Sequence, residues 1–173
     1  LLNNKVNIDY IETVPGMASN YHFVLWYDTE RTILVNHNEY PYSFHTDLPE
    51  PKWIYLSSLA QNSIEYHGQI MEYLKSHPDV KLAFSPGTFQ MKLGYDSLKD
   101  VYERTEILLC NKQEAQRILK NEKIEEKMEI MKGLHDLGPK IIVVTDGLNG
   151  AYAYNGSLAW FVPIYPMMPF ERT

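Results

Sequence analysis

Ile107-Leu108-Leu109-Cys110-Asn111-Lys112-Gln113-Glu114-Ala115-Gln116-Arg117-Ile118-Leu119 changes its apolar period within a few residues, and that change decides the fold. Residues 107–110 form a continuous apolar run of strand length, whereas Ala115, Ile118 and Leu119 recur at helical spacing. A buried strand that runs straight into an amphipathic helix is half of a βαβ unit, the building block of a parallel sheet covered by helices.

Outward from this stretch the same alternation continues. On the C-terminal side, Ile124, Met128, Met131 and Leu134 predict a helix that stops at Gly138-Pro139, and the β-branched run at residues 141–144 predicts a central strand. Asn155-Gly156, between residues 151–154 and 158–162, is the signal of a type I′ hairpin. On the N-terminal side, Leu98, Val101 and Tyr102 mark a helix and residues 81–84 a strand. Ile64, His67, Ile70, Met71 and Leu74 mark another helix, capped near Asn62-Ser63 and unable to continue past Pro78, and residues 53–56 make the first strand of the series.

Before residue 46 the pattern is different. Val6, Ile8 and Tyr10, and then Tyr21, Phe23, Leu25 and Tyr27, alternate with their neighbours, and Asp28-Thr29-Glu30-Arg31 supplies a turn before residues 33–35. This predicts a small, half-exposed antiparallel sheet. The chain therefore divides into a β-rich region at residues 1–45 and an α/β core at residues 46–173.

Composition bounds the function. The 173 residues are 45% hydrophobic and 22% charged, enough for one packed domain, and the net charge of -6 comes from mixed acidic and basic residues with no basic face for nucleic acid. Cys110 is the sole cysteine, which excludes an internal disulfide framework and a multi-cysteine zinc site, and fits the cytoplasm. No apolar run approaches the ~20 residues that span a bilayer, so no membrane partner is expected.

Two polar constellations interrupt the core. Asn111-Lys112-Gln113-Glu114 lies where strand becomes helix. A helix N-terminus offers unpaired N–H groups to anions, and a carboxylate beside it can hold a hydrated Mg²⁺ that bridges phosphates. The same spacing is that of a variant capping box, and spacing alone leaves both readings open. Thr145-Asp146-Gly147-Leu148-Asn149-Gly150 follows the next strand, at the edge where open α/β sheets bind ligands. On composition alone it reads first as a strand-to-hairpin turn that uses glycine for positive φ.

In order, these features resemble the PfkB/ribokinase family, which carries an N-x-x-E motif after one strand and a T-x-G-x-x-G turn after the next. Here they are Asn111 with Glu114, and Thr145 with Gly147 and Gly150. The resemblance implies a partial ribokinase-like, Rossmann-like parallel sheet with flanking helices, incomplete at both ends, in which residues 1–45 form an antiparallel β lid. It further implies an ATP-dependent kinase acting on a hydroxymethyl group of a sugar or nucleoside, as a homo-oligomer dimerised through the lid. By the same resemblance Asn111 and Glu114 organise Mg²⁺ and the phosphates of ATP, Thr145, Gly147 and Gly150 line the nucleotide, and Thr173 leads into an anion hole. The family's glycine-rich turn and catalytic aspartate would follow Thr173, so the expectation is a fragment with little or no activity of its own. A non-catalytic sugar- or nucleotide-binding module on the same scaffold is the alternative. Ser85 stands where many members have asparagine or aspartate near the acceptor, and leaves the acceptor unassigned.

The remaining residues read as structural. The six histidines share no ligand spacing, Cys110 reads as a small buried residue, and Asn155-Gly156-Ser157 reads as a turn and not as a glycosylated sequon. Residues 122–127 read as a solvated helix start, and Tyr21, Phe23 and Tyr27 either cover a ligand or pack on a second lid.

Overall fold

The computed structural model describes residues 2–27, 30–36, 38–47 and 49–166. Strands β1 (Tyr21–Tyr27) and β2 (Glu30–Asn36) pair as an antiparallel ribbon. The core then runs β3 (Trp53–Leu56), α1 (Ile64–Ser76), β4 (Lys81–Phe84), α2 (Thr88–Arg104), β5 (Ile107–Asn111), α3 (Lys112–Ile118), α4 (Lys127–His135), β6 (Ile141–Thr145), β7 (Ala151–Tyr154) and β8 (Ala159–Val162). Its six strands lie in sequence order: β3 to β6 are parallel, and β7 and β8 return antiparallel. The α/β class and the ribbon thus match the sequence pattern.

The core is built from alternate strand positions. Leu82 and Phe84 of β4, Leu108 and Cys110 of β5, and Ile142 and Val144 of β6 are buried with Ile70 and Leu74 of α1, Val101 and Tyr102 of α2, and Ile130 and Leu134 of α4. Intervening residues such as Ile107, Leu109 and Val143 are only half-buried, so the continuous apolar runs do not mark strands fully buried on both faces.

Four local expectations are corrected. Val6, Ile8 and Tyr10 form no strand, because Asn7 Oδ1 accepts from the Asp9 amide at 2.7 Å and the Ile11 amide donates to the Ile8 carbonyl at 3.0 Å, closing turns instead of a ladder. The β1–β2 ribbon is exposed on both faces where described, not on one. Ile124 precedes α4: Glu126 caps that helix by accepting from the Glu129 amide at 2.7 Å, while Ile124 is buried and its carbonyl accepts from Gln116 Nε2 at 2.7 Å. The β7–β8 turn is a four-residue loop and not type I′: of its two central signal residues only Gly156 has positive φ, and Asn155 Oδ1 accepts from the Ser157 and Leu158 amides at 3.1 and 2.8 Å.

Candidate functional site

Parallel pairing of β5 with β6 places Asn111 opposite Thr145 in the register, so the two polar constellations sit side by side at the carboxyl edge of the sheet. Asn111 ends β5 in an extended conformation and caps α3. Its Oδ1 accepts from the Glu114 amide at 2.8 Å, and its own amide donates to Glu114 Oε2 at 2.8 Å. The capping box is therefore complete, and it fixes the Glu114 carboxylate at the mouth of α3.

The neighbouring turn is held by its own backbone. The Asp146 amide donates to the Gly150 carbonyl at 2.8 Å, Asn149 to Asp146 at 2.8 Å, and Gly150 to Gly147 at 3.2 Å, with one 3-10 turn over Gly147–Asn149. Gly147 has φ +52° and open space where a Cβ would sit, whereas at Gly150, with φ +83°, a Cβ would stand 2.5 Å from the Val162 carbonyl oxygen. Gly150 is thus required by β8 packing over the turn, and Gly147 by conformation alone. Thr145 is exposed beside them.

Two ion pairs missed by the sequence reading surround this edge. Lys127, the first residue of α4, binds Asp146, and Lys112, the first of α3, binds Glu125. The Lys127 ammonium also lies 5.6 Å from the centre of the Tyr152 ring. Its hydrogen bond to Asp146 holds that carboxyl below the ordinary carboxylate range, and Lys112 does the same to Glu125. Residues 122–127 are consequently part of the edge and not merely a solvated helix start. A lysine 19 residues before its aspartate carries no spacing signal, so only the fold could reveal the pair. Burial pushes the Cys110 thiol up to about 12, which leaves it a packing residue, as expected. Thr173 lies outside the described residues.

An open, mostly parallel sheet with two motif-bearing turns adjacent at its carboxyl edge, together with a separate two-stranded β ribbon, defines a ribokinase-like α/β protein. The sequence profile of the pfkB family carbohydrate kinases matches residues 1–169, and the chain belongs to that family. It is 36% identical over 76 residues to a cytidine kinase of Thermococcus kodakarensis, a match covering 44% of this chain and 26% of that one. The ribokinase of Giardia lamblia superposes with TM-score 0.65 at 16% identity, covering 88% of this chain and 50% of that chain. A putative ribokinase II from E. coli, in complex with ATP and Mg²⁺, superposes with TM-score 0.64 at 16% identity, covering 90% and 53%. At these identities the structural likenesses establish the fold alone. The chain spans about half the length of these two structures.

Proposed function

We propose that the protein transfers the γ-phosphoryl group of ATP, with Mg²⁺, to a hydroxymethyl group of a sugar or nucleoside. The observation that carries this reading is the register pairing of Asn111 with Thr145, which unites the N-x-x-E and T-x-G-x-x-G motifs on one edge. Glu114 supplies a carboxylate and Asn111 an amide, hard oxygen donors suited to Mg²⁺. Mg²⁺ held there would take its remaining ligands from water and phosphate. When bound, Mg²⁺ neutralises charge on the phosphates.

The chain's own residues then divide the work. Asn111 and Glu114 hold the metal and phosphate side, Thr145 and Gly147 form the open floor under the nucleotide with Gly150 packed under β8 beside them, and Thr173, outside the described residues, is assigned to the same nucleotide site by the order of the motifs. Asp146, bound to Lys127 and accepting from Asn149 Nδ2 at 3.2 Å, shapes the turn and is a poor proton acceptor. The buried sole cysteine supports a cytoplasmic setting, and among the described residues no helix is long and apolar enough to cross a membrane. The exposed ribbon supports a dimer formed through β1 and β2.

The test is ATP turnover by the full-length gene product across a panel of sugars and nucleosides, with and without Mg²⁺. Acceptor-dependent ADP release is expected. ATP binding without turnover on any acceptor would point to the binding-module alternative and sink the kinase reading.

A further inference from the structure

Beneath the same carboxyl edge, away from the two motifs, lies a buried polar relay. Gln90 is 0% exposed and His67 2%. Gln90 Oε1 accepts from the Gly87 amide at 2.7 Å, while Nε2 donates to the Ser57 carbonyl at 3.0 Å and lies 3.0 Å from His67 Nε2. His67 Nδ1 stands 2.6 Å from the Ser63 carbonyl oxygen. A carbonyl only accepts, so Nδ1 carries the proton, and in the neutral ring Nε2 accepts the second Gln90 N–H. Both N–H donors of the amide and its oxygen are then engaged.

What the relay grips is the end of β3 and the end of β4. Ser57 follows β3, Gly87 follows β4 by three residues, and a Cβ on Gly87 would stand 2.0 Å from Ser58 Oγ, so the two loops touch. Ser57 and Ser58 are exposed, at the edge that also carries Asn111 and Thr145.

We propose that Gln90, locked by neutral His67, is a positioning residue that fixes the β3 and β4 loops as the acceptor-side wall of the phosphoryl-transfer site, and that protonation of His67 releases them. This rests on the kinase reading above. A protonated ring turns Nε2–H toward the Gln90 amino group, donor against donor. Rotating the amide satisfies the ring but aims N–H at the Gly87 amide and strips the Ser57 carbonyl of its donor, so each arrangement leaves a buried group unpaired.

The groove containing His67 also presents Lys75 from α1 and Asp96, Lys99 and Asp100 from α2, all exposed to solvent. The dominant influence on the ring is burial, which lowers its pKa from 6.5 against a weaker opposing effect of the Ser63 carbonyl. The neutral state therefore prevails near pH 7, and release belongs to acid.

Gln90→Glu separates the possibilities. It keeps an acceptor for Gly87, loses the donor to Ser57, and offers a carboxylate to a charged ring. In the full-length gene product, NMR titration should place wild-type His67 below its ordinary value and show Gln90→Glu raising it by about one unit or more. The KM for the acceptor should rise on the order of tenfold, with the KM for ATP little changed. A His67 titration unmoved by Gln90→Glu overturns the relay. A moved titration with unchanged acceptor KM overturns the positioning role. Absence of turnover by the wild type overturns the kinase reading and the positioning role with it, while the titration still judges the relay. If Gln90→Glu fails to fold, the wild type decides: its acceptor KM, but not its ATP KM, must rise as pH falls through the His67 titration.

Discussion

Gly147 and Gly150 look alike in sequence and differ in what holds them. Both have positive φ, but only Gly150 has a carbonyl, that of Val162, where its Cβ would go. Gly147→Ala should cost about 1–2 kcal/mol of stability from conformation alone. Gly150→Ala adds a backbone clash and should cost clearly more, a difference that urea denaturation of the two variants measures. At Asn111 and Glu114 the structural and functional readings separate by a similar pair of substitutions. Asn111→Ala removes the cap and should cost about 1 kcal/mol. Glu114→Gln keeps a side-chain oxygen for the Asn111 amide, so stability should hold within about 0.5 kcal/mol, yet the variant loses the charge proposed to hold Mg²⁺. Isothermal titration with ATP should then show Mg²⁺ strengthening binding less than in the wild type; an unchanged Mg²⁺ effect would reduce Glu114 to a capping residue.

Elements were legible where one period ran long enough to dominate. Residues 141–144 read as a strand because they are β-branched throughout and 81–84 because a short apolar run follows Lys81, and the helix with Ile70 and Leu74 read correctly because its stripe from Ile64 to Leu74 spans about three turns. The reading failed where one polar side chain redirects the backbone: Asn7 diverts a would-be strand, Glu126 starts α4 after Ile124, and Asn155 reshapes the hairpin loop. It failed again for the Lys127–Asp146 pair, which ties α4 to the turn after β6 and exists only once the sheet has brought them together. That pair sets a pH dependence. Asp146 has its pKa lowered from 3.8, so its contribution to stability is fully present above that value and is lost as pH falls through the lower, folded-state one. Lys127→Met removes the largest cause of the shift and leaves the weaker ones from Asn149 and Lys112. Thermal melts between pH 5 and the acid limit should show a shallower acid loss in the variant than in the wild type, and parallel curves would show that the pair does not couple α4 to the turn.

For the whole molecule, the question is what covers the ribbon. Cross-strand pairing sets Phe23 opposite Leu34 on one face, with Leu25 beside them, and Val24 opposite Ile33 on the other. Phe23 is 61%, Leu25 54% and Leu34 51% exposed on one face and Val24 43% and Ile33 45% on the other, so neither face, where described, rests on the core. A two-stranded ribbon is at best marginally stable by itself in water, and an apolar surface of this kind is usually an interface. Its base is anchored, since Asn38 donates to Asn20 Oδ1 and to the Ala18 carbonyl, both at 2.8 Å, but those bonds cover no apolar side chain. Two copies meeting ribbon to ribbon would bury both sets. The expected behaviour is concentration-dependent dimerisation in sedimentation equilibrium. Phe23→Lys combined with Leu34→Glu should abolish it, because the new charges face each other across the strands and preserve the ribbon while removing its apolar face. A wild type that stays monomeric at all concentrations would rule out the dimer. If the double variant instead leaves the mass unchanged and raises the KM for the acceptor alone, the ribbon's apolar face closes over a ligand and not over a second copy.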